Sequence, residues 1–99
     1  MHFVILGTDR PGTAALRLNT RPTHRDYLHA THEGITLCLA GPTLAADGET
    51  MTGSLIVVEA DTLDAVERFA AGDPYRRAGL FAQVDIRPWN WTTGNPARP

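Results

Sequence analysis

Met51–Ala60, MTGSLIVVEA, is the stretch on which the fold turns. From Leu55 to Val58 both alternation phases are apolar, so a strand here carries an oily side chain on each face of its sheet. Both faces then need a cover. Working outward, Ile35–Ala40 is a second apolar run ended by Gly41-Pro42, and Asp47-Gly48 supplies a turn before Met51. These two strands are expected to form a hairpin with an extended loop. Within the earlier one, Ile35, Leu37 and Leu39 on one side oppose Cys38 and Ala40 on the other. Phe3–Leu6 reads as a first strand closed by Gly7 and followed by a polar loop over Thr8–Gly12, and Phe81–Trp89 as a fourth strand.

Helical spacing fills the intervals between strands. From Thr13 the pattern turns helical, with an interruption expected near Asn19–Arg21 because Pro22 disfavours helical geometry at the residue before it. Pro22 suits a first helical position, so Pro22–Glu33 reads as the next segment, capped by Gly34: one broken helix, or two abutting ones. Thr62–Ala71 is a clear amphipathic helix with Leu63, Val66, Phe69 and Ala70 on one face, and Asp64 and Arg68 spaced four apart for pairing. Gly72 ends it, and Asp73-Pro74 reads as cap and first-turn proline of a short helical turn through Ala78.

The order is β-α-β-β-α-β, an α+β chain on the ferredoxin-like plan, with two helices on one face of a four-stranded antiparallel sheet. Two helices shield one face only. The other face is expected to be covered by a second copy, a homodimer packed sheet to sheet, with Trp89 and Trp91 available to the partner. Residues 1–91 form the expected domain, and 92–99, rich in Thr, Gly, Asn and Pro, a flexible tail.

Composition removes several classes of function. The formal net charge is −2 and the basic residues form no run, which gives nucleic-acid binding no support. All nine basic residues are arginine, so lysine chemistry is excluded while planar recognition of carboxylate or enolate oxygens remains available. The single cysteine, Cys38, reads as a buried structural thiol in a strand, suited to a reducing cytoplasm. Met1–Leu6 is too short for a signal h-region and no apolar run reaches spanning length, so no membrane role is expected. Glycine-rich phosphate loops, nucleophile elbows and dinucleotide fingerprints are missing from the sequence, leaving a nucleotide cofactor unsupported. His29 and His32 share a helical face, but no Cys or carboxylate completes a metal site with them.

The chemistry-bearing residues sit at helix starts. His24 in Arg21-Pro22-Thr23-His24 and Asp73 in Asp73-Pro74-Tyr75 are the parts of a general-base dyad, provided the fold unites them. Capping alone would also select Asp73, and both roles can coexist if one oxygen caps while the other orients the imidazole. Arg17 and Arg21, four apart, are candidates for clamping a substrate carboxylate or a developing enolate; solvated charge or an ion pair with an acidic neighbour is the bland reading. Ser54 follows Gly53, a strand glycine of the kind that marks close backbone approach, and its hydroxyl is a candidate substrate contact or an ordinary strand serine. Tyr75 is a candidate pocket wall or a packing residue, and reads as packing.

Taken in order and spacing, Arg17-Leu18, Arg21-Pro22-Thr23-His24, Leu28, Gly41-Pro42, Gly53-Ser54, Asp73-Pro74-Tyr75, Ala78-Gly79 and Arg87-Pro88-Trp89 resemble the YciI-like family, also called the YCII-related domain. The resemblance runs over nearly the whole chain up to Trp89. It implies a ferredoxin-like dimer of the dimeric α/β-barrel type and an active site on a His–Asp pair, here His24 and Asp73. A related branch eliminates chloride from a chlorinated hydroxyquinone, and the wider superfamily includes muconolactone isomerase and small monooxygenases. The expectation is a cofactor-independent lyase or isomerase acting on a cyclic or phenolic organic acid, with no metal, His24 and Asp73 catalytic, and Arg17, Arg21 and Ser54 binding substrate. The alternative is a dimeric ligand-binding or accessory domain that performs no chemistry.

Overall fold

The strand with two apolar phases, β3 (Met51–Glu59), lies inside an antiparallel sheet between β1 (His2–Asp9) and β2 (Thr36–Leu44), with β4 (Phe81–Trp89) beyond β1. The computed structural model describes residues 1–97; Arg98 and Pro99, the end of the expected tail, lie outside the described residues. The helices are α1 (Ala14–His29), α2 (Leu63–Gly72) and the single turn α3 (Pro74–Arg77), which completes the ferredoxin-like β-α-β-β-α-β order. None of the described helices is long and apolar enough to cross a membrane.

The helix-covered face holds the core. Phe3 and Ile5 of β1, Ile56 and Val58 of β3, Leu28 of α1, and Val66, Phe69 and Ala70 of α2 are buried together. On the opposite face Val4 pairs with Val57 and Leu6 with Leu55, and Leu6 is 39% exposed. Trp89 stacks on Trp91 with ring centroids 5.7 Å apart, and Trp91 meets His2 edge-on at 5.6 Å, at one end of this open face. Beyond it the hydrogen bonds among the described residues are local, among them Trp91 Nε1 to the Thr93 carbonyl at 2.9 Å.

β2 differs from the sequence expectation in two ways. It runs on through Gly41-Pro42 to Leu44, which an edge strand permits because the missing Pro42 N–H leaves no inner ladder bond unmade. A bulge at Cys38 also breaks the expected alternation: Leu37 pairs with Val58 on the helix side, whereas Leu39 pairs with Val57 on the open side. Cys38, expected buried, is only partly so, and that burial together with Glu59 raises its thiol pKa.

α1 is one continuous helix through Pro22, contrary to the expected interruption. The carbonyl that Pro22 releases belongs to Leu18, itself 55% exposed, so the orphaned acceptor sits where water can serve it. Arg17, His24 and Leu28 on the other side are buried and hold the two halves in line. The helix stops at His29 rather than Glu33, because the His32 ring folds back to within 2.6 Å of the Tyr27 carbonyl and lies against Tyr27 and Phe69. Tyr27 then donates to the Phe69 carbonyl at 2.8 Å, tying α1 to α2. Asp64 and Arg68, both exposed, do not pair; ordering two long side chains on a wet surface outweighs what the contact returns.

A candidate active site between the long helix and the hairpin

Two buried pairs hang from one face of α1. Thr62 and Asp73 cap α2 and α3 respectively, and Asp73 is also the residue at which α2 ends. Because the chain turns there with only one residue between helices, Asp73 is drawn inward to 3% exposure and reaches α1. His24 Nδ1 lies 2.7 Å from Asp73 Oδ1 across 49 residues of sequence. That same oxygen accepts the Tyr75 backbone N–H at 2.9 Å, so capping and orienting share one atom rather than dividing between two. A carboxylate oxygen only accepts, so in the contact with Asp73 the imidazole donates through Nδ1–H.

The second pair uses permanent charge. Arg17 donates through Nε to Asp9 Oδ2 at 2.7 Å and through Nη2 to Asp9 Oδ1 at 2.8 Å, a bidentate fork, with Nη2 also donating to Ser54 Oγ at 3.0 Å. Burial pulls the Arg17 pKa down, but the hydrogen bond and charge of Asp9, with help from Tyr75, outweigh it and leave it raised. Arg17 is thus not a free clamp; of the two sequence readings, the ion pair is the one observed. Asp9 was passed over in the sequence as a loop residue, although it continues the inward phase of Phe3, Ile5 and Gly7 and so had a findable signal.

Tyr75 separates the two pairs. Its ring stacks on His24 with centroids 3.8 Å apart at 17°, and the Arg17 guanidinium carbon lies 4.6 Å from the same centroid. Residues seven apart on a helix stand two turns from each other, a slot about 10 Å long that one aromatic ring fills. Burial raises the Tyr75 phenol pKa against the opposing pull of Arg17 and Arg21.

In front of these groups is a cleft of about 230 Å³ between α1 and the β2–β3 hairpin. Arg17, Arg21, His24, Ser54 and Tyr75 line it, facing an apolar wall of Leu37, Ile56 and Met51. The bulge at Cys38 puts Ala40 and Pro42, paired with Ile56 and Ser54, on the cleft side. The close approach expected at Gly53 is present: a Cβ there would stand 2.1 Å from the Gly7 carbonyl oxygen, so no larger residue fits beside Ser54. Arg21 is half-buried and has no ion-pair partner among the described residues. His29 reaches the cleft while His32 packs elsewhere, and no cluster of three metal-ligating side chains occurs among the described residues.

Known proteins share this arrangement of chain. Protein YciI of Escherichia coli O6:H1 is 33% identical over 94 residues, covering 90% of this chain and 96% of its own. A protein of Emericella nidulans named derivative of benzaldehyde biosynthesis cluster protein C is 36% identical over 77 residues, 72% of this chain and 76% of that one. Among solved structures, 5-chloro-2-hydroxyhydroquinone dehydrochlorinase (TftG) from Burkholderia phenoliruptrix AC1100, in complex with 2,5-dihydroxybenzoquinone, superposes with a TM-score of 0.80 at 36% identity, covering 91% of this chain and 94% of its own. With the YCII-related domain matched over residues 1–90, the chain belongs to the YCII-related family.

Proposed function

We propose that the chain is a cofactor-independent lyase or isomerase for a small cyclic or phenolic acid, with His24 as general base. Nε2 takes a proton from a substrate hydroxyl or carbon, the electron pair released moves through the ring, and in an elimination the leaving group departs as its anion. The net change is loss of HX, with no oxidant consumed. Asp73 fixes the tautomer and steadies the imidazolium that forms. Arg21 faces the developing negative charge, and Ser54, held by Arg17, borders the same space. The active form is a homodimer paired through the open sheet face, in a reducing cytoplasm where Cys38 stays a thiol.

The observation that carries this reading is the buried 2.7 Å His24–Asp73 contact opening on a cleft. The dehydrochlorinase activity of TftG gives it a reaction class. Chloride release from 5-chloro-2-hydroxyhydroquinone is the direct assay. Turnover is expected from the native chain and none above background from His24→Ala; full turnover by His24→Ala sinks the assignment. The double duty of Asp73 Oδ1 favours one rival, a binding domain in which the dyad is only a staple. That rival predicts ligand binding with no chemistry in any variant.

A further inference from the structure

The cleft carries more positive charge than the chemistry above uses. Arg17, Arg21 and Arg25 recur every fourth residue along α1 and all three line it, with His24 and His29 beside them. None of the eleven acidic residues of this net-negative chain is among the lining side chains. Asp9 balances Arg17 and Asp73 accompanies His24. Arg21 and Arg25 are left: two cations one helical turn apart, without an ion-pair partner among the described residues. Like charges at that spacing repel, and an anion lodged between them relieves the repulsion.

The remaining surface says what shape that anion has. Leu28, Leu37, Met51 and Ile56 give the cleft apolar walls, and Gly41 adds no side chain to its mouth. A volume of about 230 Å³ falls short of what drug-sized ligands occupy and suits a single ring. His24 is buried, Arg21 half-buried and Arg25 exposed, so a ring with one acidic oxygen near His24 turns its outer edge toward the two arginines.

We infer that the cleft selects single-ring ligands bearing two acidic groups on opposite sides, the second held at the rim by Arg21 and Arg25. The inference rests on the reading of this cleft as a small-molecule site, and it adds Arg25 as a specificity residue. Charge on the ligand, rather than ring size, then sets affinity, and added salt weakens binding.

Terephthalate and benzoate share one ring and differ by a second carboxylate, so calorimetric titration of both at low salt and near-neutral pH isolates the rim. The native chain is expected to bind terephthalate at least about tenfold more tightly than benzoate, the scale of one charge-assisted contact. Arg21→Gln/Arg25→Gln should erase that preference while leaving the melting temperature near native, since glutamine also favours a helix. Arg68→Gln, on α2, should keep the preference. Equal affinity for the two acids, binding of neither, or a preference that survives the double substitution overturns the inference. A dianion preference in a chain that eliminates chloride from nothing sinks the catalytic reading and keeps this one. Turnover of 5-chloro-2-hydroxyhydroquinone by the native chain, with equal affinity for terephthalate and benzoate, does the reverse.

Discussion

Arg17–Asp9 and His24–Asp73 are both buried ion-pairable contacts at 2.7 Å, seven residues apart on the same helix and on either side of one tyrosine ring. They differ in what a proton can do to them. A guanidinium in a bidentate fork stays charged at every ordinary pH, so the Arg17 pair can fix geometry but cannot pass a proton. An imidazole held by one nitrogen keeps the other free to gain and lose one. The rigid pair therefore positions Ser54 and Tyr75, and the switchable pair is where chemistry can occur.

Removing one partner from the rigid pair tests that division most severely. Asp9→Ala strands the Arg17 guanidinium, only 3% exposed, without its counter-charge, and should cost about 3–5 kcal/mol of stability by urea denaturation. A loss below about 1 kcal/mol would mean that Arg17 finds water or another acceptor, and that the pair is not what fixes the geometry. The switchable pair should respond the opposite way. Asp73→Asn keeps an oxygen able to accept from both Tyr75 N–H and His24 Nδ1–H, so the fold should survive, yet it removes the charge that steadies the imidazolium. The expected result is a roughly 100-fold or greater fall in kcat with little change in KM or melting temperature. A variant that unfolds while the surviving fraction turns over normally would reduce the dyad to a staple.

The capping half of Asp73 can be separated from the rest by comparison with Thr62. Both residues cap a helix through a side-chain oxygen, Thr62 by accepting from the Ala65 N–H at 3.2 Å, but Thr62 is exposed and touches no site. Thr62→Ala should cost about 1 kcal/mol and leave turnover unchanged. If Asp73→Ala costs no more than that, its bond to His24 adds nothing to stability and its worth lies in catalysis alone.

What was legible in the sequence follows from what periodicity can carry. Strand and helix periods report which side of an element is oily, and from β3, α2 and the capped turn at Asp73 they led to the observed element order. Periodicity does not report an inserted residue, so the bulge at Cys38 was invisible and the phase of β2 beyond it was read the wrong way round. Pro22 has a strong local rule against helix interiors; burial of Arg17, His24 and Leu28 on one face overrode it, a tertiary effect that no window of sequence contains. His24 and Asp73 were named from an imidazole and a carboxylate at two helix starts and from motif resemblance, and no periodicity could bring them together. Arg17 lines the cleft, but its pairing with Asp9 depends on where β1 ends relative to α1, and Arg25 joins it there with no motif to mark it.

The smallest expected effect concerns the ring between the two pairs, and the chain's other tyrosine is its control. Burial, foremost, raises the pKa of both Tyr27 and Tyr75. A phenol whose folded value is raised above the ordinary 10 or so contributes stability that is fully present below about pH 10 and lost as pH rises through the folded value, because the unfolded chain sheds its proton first. Urea midpoints should therefore decline on the alkaline side of about pH 10, and Tyr27→Phe and Tyr75→Phe should each make the decline shallower. Tyr27 donates to the Phe69 carbonyl inside the α1–α2 seam, where a phenolate would face that oxygen directly. Tyr75 has the Arg17 and Arg21 charges near its hydroxyl. A steeper contribution from Tyr27 than from Tyr75 would mean that the cleft tolerates negative charge on an aromatic oxygen beside His24, the condition a bound phenolate also requires. Equal contributions would mean that the arginines next to Tyr75 do not favour negative charge on its oxygen and offer a ligand nothing at that depth.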